Sequence, residues 1–347
     1  MPGSAWHQRS EASPRTNADE HGRTRRLRLA TCKLFFSGLV RFSPRLSAVQ
    51  QFSIAVAFAS TSSLGAQPAQ ERVWAERFQT TLEQIARDAD GVLGIHAIDL
   101  VSGRTFAVRD TLVFPQGSAI KIAILLELYR RAETGDLKLM DRLPVRASDR
   151  TGGSSMLVDF TDGGSELALR DIAMFMIRIS DNTATNILID RLGMDRVNLT
   201  MRELGFPEIK LQRKMIRPQE SMKGNENIAT PRAAARLMAR IYKCDIPISK
   251  TACEDMRALL AIPKPGSLPD PLPSNLRVEW KPGGITGVET FWGVVVVPGR
   301  PYAIAAMLNY GGDSTARDLK RVSAAAYQYF SRLSGVTPYG TRVPPSQ

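Results

Sequence analysis

Strand-like segments lie near both ends of the folded part of this 347-residue chain, with helical segments between them. The run GVLGIHAIDL, the turn residues VSGR and the run TFAVR predict a β-hairpin over residues 91–109. LRVEWKPGG, VETFWGVVVVPG and RPYAIAAMLNY predict three more strands over 276–310. A lone two-stranded hairpin is marginal in water, so the two groups are expected to join in one antiparallel sheet. The segment RVWAERFQTTLEQIARDAD carries Val73, Trp74, Phe78, Leu82 and Ile85 at helical spacing, and STARDLKRVSAAAYQYFSRL closes the fold as a second terminal helix. Three helical patterns from Leu167 to Gly205, then Pro231–Tyr242 and about Thr251–Ile262, predict a separate lobe. The expected class is α/β: a five-stranded antiparallel sheet flanked by terminal helices, plus an all-helical lobe. The folded region is expected over 71–335, with the sheet part in 71–117 and 276–335, the lobe in 118–275, and a tail over 336–347.

Composition is that of a soluble globular protein, 43% hydrophobic and 23% charged. The net charge of +12 invites a nucleic-acid or membrane partner, but residues 1–70 alone hold nine Lys/Arg against three Asp/Glu. The remainder carries about +6 with signs interspersed and no aromatic-basic stripe, so no nucleic acid is expected as a partner. No charge occurs from Leu46 to Gln70, and FSIAVAFASTSSLGAQ, behind Arg41 and Arg45, predicts a secretory signal peptide ending near Ala66. Its apolar core is too short to span a membrane. The forty residues ahead of it are unusual for a signal peptide and point to a translation start near Val40, the alternative being a disordered basic tail. Residues 1–70 are therefore expected to be a leader, and the protein to be exported, periplasmic or extracellular. Cys244 and Cys253 remain beyond it, flanking a turn in KCDIPISKTAC. They either pair in an oxidising compartment or stand as two buried free thiols.

Elimination narrows the chemistry. His96 is the only histidine after the leader, and in the first strand a structural role is the simpler reading. A Ser-His-Asp triad would have only this base, outside any loop. No His/Cys cluster suits zinc, and no Gly-rich phosphate loop occurs, so no metal and no cofactor are expected. Serine with lysine remains. In FPQGSAIKIAILLELYRRAETGD, Ser118 stands at a helix start, where exposed N–H groups favour a developing alkoxide. Lys121 follows at i+3, on the same face, among Ile120, Ile122, Ala123 and Ile124. Desolvation lowers a lysine's pKa and makes it a candidate base. Alone, this pair reads more simply as a capping serine and a snorkelling lysine.

Two later segments change that reading. IRISDNTATNILIDRLG holds Ser180-Asp181-Asn182, and VEWKPGG holds Lys281 and Gly283. S-x-x-K, S-D-N and K-x-G in this order, separated by 62 and 101 residues, resemble class A β-lactamases and their serine-hydrolase relatives. The likeness runs from about Val73 to Leu333 and includes LALRDIAMFMIRISDNTATNILIDRLG. It implies that Ser118 attacks a β-lactam or a peptidoglycan-like amide, Lys121 takes its proton, and Ser180, aided by Lys281, protonates the leaving nitrogen. It further implies that Asn182 binds the substrate's side-chain amide, Asp181 is structural, and the N–H groups of Ser118 and Gly284, beside Gly283, form the oxyanion hole. A small-molecule substrate and a monomer are expected.

The chain also departs from the family pattern. The glutamate that activates the deacylating water should fall within Lys214–Ile216, where Met215 holds the slot. Glu220, the nearest carboxylate, would need a reshaped loop, and Glu226 is the next. Pro282 replaces the usual hydroxyl residue, and no Lys or Arg occurs between Lys281 and Arg300. The expected activity is β-lactam opening with impaired deacylation. The alternatives are a D,D-peptidase or other amide/ester hydrolase, or a sensor that acylates once.

Overall fold

The computed structural model describes residues 69–337 and 339–342; the expected leader lies outside the described residues. The chain opens with α1 (Ala69–Asp88), β1 (Val92–Asp99), β2 (Thr105–Val108) and the two-residue β3 (Phe114–Pro115). A 3₁₀ turn over Gly117–Ile120 leads into α2 (Lys121–Glu133). Then come β4 (Arg142–Pro144), β5 (Glu166–Ala168), α3 (Leu169–Arg178), α4 (Asn182–Leu192) and α5 (Met194–Glu203). A loop carrying the short α6 (Pro218–Met222) reaches β6 (Ile228–Ala229), followed by α7 (Pro231–Lys243) and α8 (Lys250–Ala261). The chain returns through β7 (Val278–Ile285), β8 (Val288–Val295) and β9 (Tyr302–Asn309) to α9 (Thr315–Leu333).

Five strands form one antiparallel sheet in the order β2-β1-β9-β8-β7, the sheet expected from the sequence. The early hairpin joins the late strands where β1 pairs β9, from Val92 against Asn309 to Asp99 against Tyr302. Strand periodicity divides β9 between two cores. Tyr302, Ile304, Ala306 and Leu308 face α1 and α9, where Phe78, Phe106, Tyr329 and Phe330 pack. Ala303, Ala305 and Met307 face the helical lobe with Trp292 and Val294 of β8. Both faces are covered, so these strands read as apolar runs rather than as alternating ones. Truncating Trp292 to Ala would cost about 3–5 kcal/mol by cavity formation.

Two short ladders, β3–β6 and β4–β5, have no counterpart in the sequence reading, since two or three residues carry no periodic signal. The first matters most. It pins Phe114 to Ala229, tying the chain just before Ser118 to the end of the irregular loop. Cys244 and Cys253 form a disulfide with a Cα–Cα distance of 5.8 Å, which removes the free-thiol alternative. Closing so short a loop stabilises the folded state by about 2–3 kcal/mol. Among the described residues, no helix is long and apolar enough to cross a membrane.

Candidate active site

The site begins at a junction that only glycines permit. Gly117 has φ 48°, and a Cβ there would lie 2.7 Å from the Gly284 nitrogen. A Cβ on Gly283 would lie 2.1 Å from the Gln116 oxygen and 2.6 Å from the Ala119 nitrogen. All three contacts are closer than real Cβ atoms allow, so glycine lets β7 lie directly against the turn bearing Ser118. Gln116 locks the approach from inside. Its Nε2 donates to the Phe114 carbonyl at 2.7 Å, and its Oε1 accepts from Trp292 Nε1 at 2.7 Å. Its own carbonyl accepts from Thr290 Oγ1 at 3.1 Å, and its N–H donates to the Asn227 carbonyl at 2.8 Å. Ser118 is left half-buried in the 3₁₀ turn ahead of α2, with no hydrogen-bond partner for its hydroxyl among the described residues.

Lys121 is fully buried one turn later. Its Nζ donates to the Ser180 carbonyl at 2.7 Å, to Ser180 Oγ at 3.1 Å and to Asn182 Oδ1 at 3.0 Å. Burial lowers its pKa to about 7, with the Asp181 carboxylate opposing that shift. Lys281, also fully buried, donates to Ser180 Oγ at 3.0 Å and to the Pro282 carbonyl at 3.0 Å. Its pKa falls well below the lysine range, first through burial and then through the positive charges of Lys121 and Lys264. Ser180 Oγ thus accepts from two lysines, and its own hydrogen stays free to be donated.

Ser180 is held in an uncommon backbone state, φ 61°. The next residue fixes it there. Buried Asp181 caps α4 by accepting from the Ala184 N–H at 2.8 Å. It also accepts from the N–H groups of Met156 and Leu157, at 2.6 and 2.9 Å, and from Ser155 Oγ at 3.0 Å. Asn182 links the helix to the facing loop, its Nδ2 donating to the Gly152 carbonyl at 3.1 Å.

Ser118, Asn182 and Gly284 form the floor of a cleft of about 550 Å³ that Met215 and Arg217 also line, and Lys121 and Lys281 support that floor from the buried side. One wall is the irregular loop, which three side chains organise. Arg213 pairs with Glu226 at 2.8 Å across its base. Asn227 Oδ1 accepts from the N–H groups of Gln212 and Arg213, at 2.7 and 3.0 Å. Asn186, on α4, clamps Met215 from both sides, accepting from its N–H at 2.8 Å and donating to its carbonyl at 3.2 Å. Met215 thus stands at the cleft wall with its side chain largely buried in the core, and its thioether neither accepts nor holds a proton at neutral pH.

The profile of the β-lactamase enzyme family matches residues 77–330. The chain belongs to that family. Beta-lactamase SME-1 of Serratia marcescens is 28% identical over 163 residues, which cover 46% of this chain and 55% of that protein. A beta-lactamase of Rhodobacter capsulatus is 27% identical over 214 residues, covering 61% and 65%. The chain thus spans between about half and two thirds of the length of these curated relatives. Among solved structures, a leucine-to-glutamate mutant of PBP-A, captured as an acyl-enzyme complex with penicillin G, matches at 28% identity and a TM-score of 0.67. That match covers 74% of this chain and 96% of the other. A beta-lactamase from Sphaerobacter thermophilus matches at 30% identity and a TM-score of 0.65, covering 72% and 95%.

Within this β-lactamase-family fold, Ser118, Asn182 and Gly284 line one cleft, and Lys121, Ser180 and Lys281 form one hydrogen-bonded set beside it. Glu220 does not join them. It lies on α6, its carboxylate accepting from Lys223 Nζ and Asn225 Nδ2 at 2.8 Å each. Those bonds lower its pKa, Lys223 contributing most. Glu226 does line the cleft, but its carboxylate holds Arg213. His96 lies in β1, away from the cleft, with Nδ1 2.8 Å from Asp110. Gln116, Thr290 and Asn186 escaped sequence reading because lone buried polar residues have no motif; only their place in apolar runs marks them.

Proposed function

We propose that this protein opens β-lactam amide bonds through an acyl-enzyme on Ser118 and releases that acyl group slowly. Neutral Lys121 takes the Ser118 proton, Oγ bonds to the carbonyl carbon, and the N–H groups of Ser118 and Gly284 stabilise the oxyanion. The C–N bond then breaks. The leaving nitrogen receives the Ser180 hydroxyl proton, and Ser180 recovers one from the lysine pair. Asn182 orients the substrate's side-chain amide. Lys281 contributes positive charge toward the substrate carboxylate.

The observation that carries this reading is the desolvated pair Lys121 and Lys281 on one serine hydroxyl, beside an unpartnered Ser118. Met215 carries the second half. With no carboxylate in its slot, water has no strong base with which to attack the ester, so the acyl-enzyme should accumulate. Met215 equally favours a second reading, a hydrolase of peptidoglycan-like amides whose natural acyl group leaves without help from that residue. A non-turnover sensor is the limit of the first reading. Export fits either version, and the Cys244–Cys253 disulfide supports it, because such bonds persist in oxidising compartments.

The test is a time course with a chromogenic cephalosporin and intact-mass analysis. We expect a burst of about one equivalent, a mass adduct on Ser118, and neither in Ser118→Ala. Sustained fast turnover would sink the slow-release claim. No burst and no adduct would sink every lactam-directed version.

A further inference from the structure

We propose that Arg217 selects substrates whose acyl side chain carries a negative charge. This deepens the acyl-enzyme reading and rests on it for the pose of the substrate. The polarity of the cleft sets where each end of a substrate lies. Lys281 and Ser180 mark the leaving-nitrogen side, and Asn182 marks the acyl side-chain amide. From Asn182 the wall is continuous. A Cβ on Gly153 would lie 3.0 Å from Asn182 Nδ2 and 3.3 Å from Ile216 Cδ1, so the space beside Gly153 is bounded by both, and all three residues line the cleft. Arg217 follows Ile216 and lines the same cleft. A side chain leaving the amide at Asn182 runs along Gly153 and Ile216 to Arg217.

The charges there are unbalanced. Arg213, Arg217 and Glu226 are the charged residues on the cleft wall, and Arg213 and Glu226 neutralise each other at 2.8 Å. Arg217 has no acidic partner among the described residues. Its single side-chain hydrogen bond goes to the Ile216 carbonyl at 3.3 Å. The guanidinium has five N–H donors in a planar fork, so most of its capacity is unused, and that fork suits a carboxylate. Ile216 is held at φ 53°, an uncommon state for a β-branched residue. That state belongs to the backbone leading directly into Arg217.

The probes are penicillin G and carbenicillin, which differ by one carboxylate on the side-chain α-carbon. Affinities are measured by calorimetry on Ser118→Ala, which binds without reacting, and acylation is measured separately on the wild type. We expect Ser118→Ala to prefer carbenicillin about tenfold, with the ratio falling to near one in Ser118→Ala/Arg217→Gln. Ser118→Ala/Arg217→Lys should retain part of the preference, which a purely structural role for Arg217 would not produce. Equal affinities, no binding of either compound, or a preference that survives Arg217→Gln overturns the proposal. Absence of a wild-type adduct with both compounds sinks the acyl-enzyme reading instead, and the binding ratio still decides the role of Arg217.

Discussion

The floor and the wall of the cleft are built on different principles. The floor is carried by α2, α4 and β7, elements held by two cores and by buried polar side chains. Lys121, Asp181 and Lys281 are each fully buried, and each makes two or more hydrogen bonds. The wall is the irregular loop, with Ile216 and Arg217 exposed and anchorage mainly from Arg213, Asn186 and Asn227. A floor of this kind preorganises one chemical step. A wall of this kind varies without disturbing the fold, and here Met215 stands where the family resemblance leads one to expect an acid. On the function proposed above, the site is complete for forming an ester and incomplete for hydrolysing it.

Lys121→Met attacks the floor and carries the largest expected effect. Acylation should fall by about 10²–10⁴-fold, measured by stopped-flow adduct formation. In the unaltered protein the acylation rate should rise as pH rises through about 7, because the neutral amine is the acceptor and burial has lowered its pKa to that range. Equal rates at pH 6 and 8 would separate Lys121 from the proton transfer. The same burial bears on stability. The folded pKa lies below the unfolded one, so the unfolded chain binds more protons between them, and stability should rise with pH over that window.

Met215→Glu tests the wall. It places a carboxylate on the residue that Asn186 already clamps, and release of the penicilloyl group should quicken by about tenfold or more. Acylation should change far less, because Lys121 and Ser180 are untouched. Arg213→Ala is the smallest change. It leaves Glu226 without its partner and should cost about 1–3 kcal/mol, less than for a fully buried pair because Glu226 keeps some solvent contact. Hydrogen exchange should rise within 213–227 while the sheet is unaffected. Loss of protection in β7 would show that floor and wall are one cooperative unit.

The same division explains what the sequence made legible. Most of the sheet strands announce themselves because β1, β8 and β9 are eight-residue, largely apolar runs between turn signals, with β2 short but joined to β1 by a tight turn and β7 carrying the K-x-G motif. Ser118, Lys121, Ser180 and Lys281 are readable because they fall in three short motifs with fixed residue types in a fixed order. The Gln116–Trp292 bond and the Asn186 clamp are tertiary pairings across 176 and 29 residues, and single polar residues give no hint of such partners. The loop is harder still. The sequence offers Glu220 and Glu226 as nearby acids, and only coordinates distinguish one tied to Lys223 and Asn225 from one pinned to Arg213.

On the proposed function, acylation is intact and release is impaired. Single-turnover mixing with penicillin G, followed by quenching and intact-mass analysis, yields both rate constants on the same sample. Acylation is expected to be faster than release by about 100-fold or more, with the Ser118 ester as the dominant species after mixing. Release as fast as acylation, with no ester accumulating while the lactam is consumed, would contradict it.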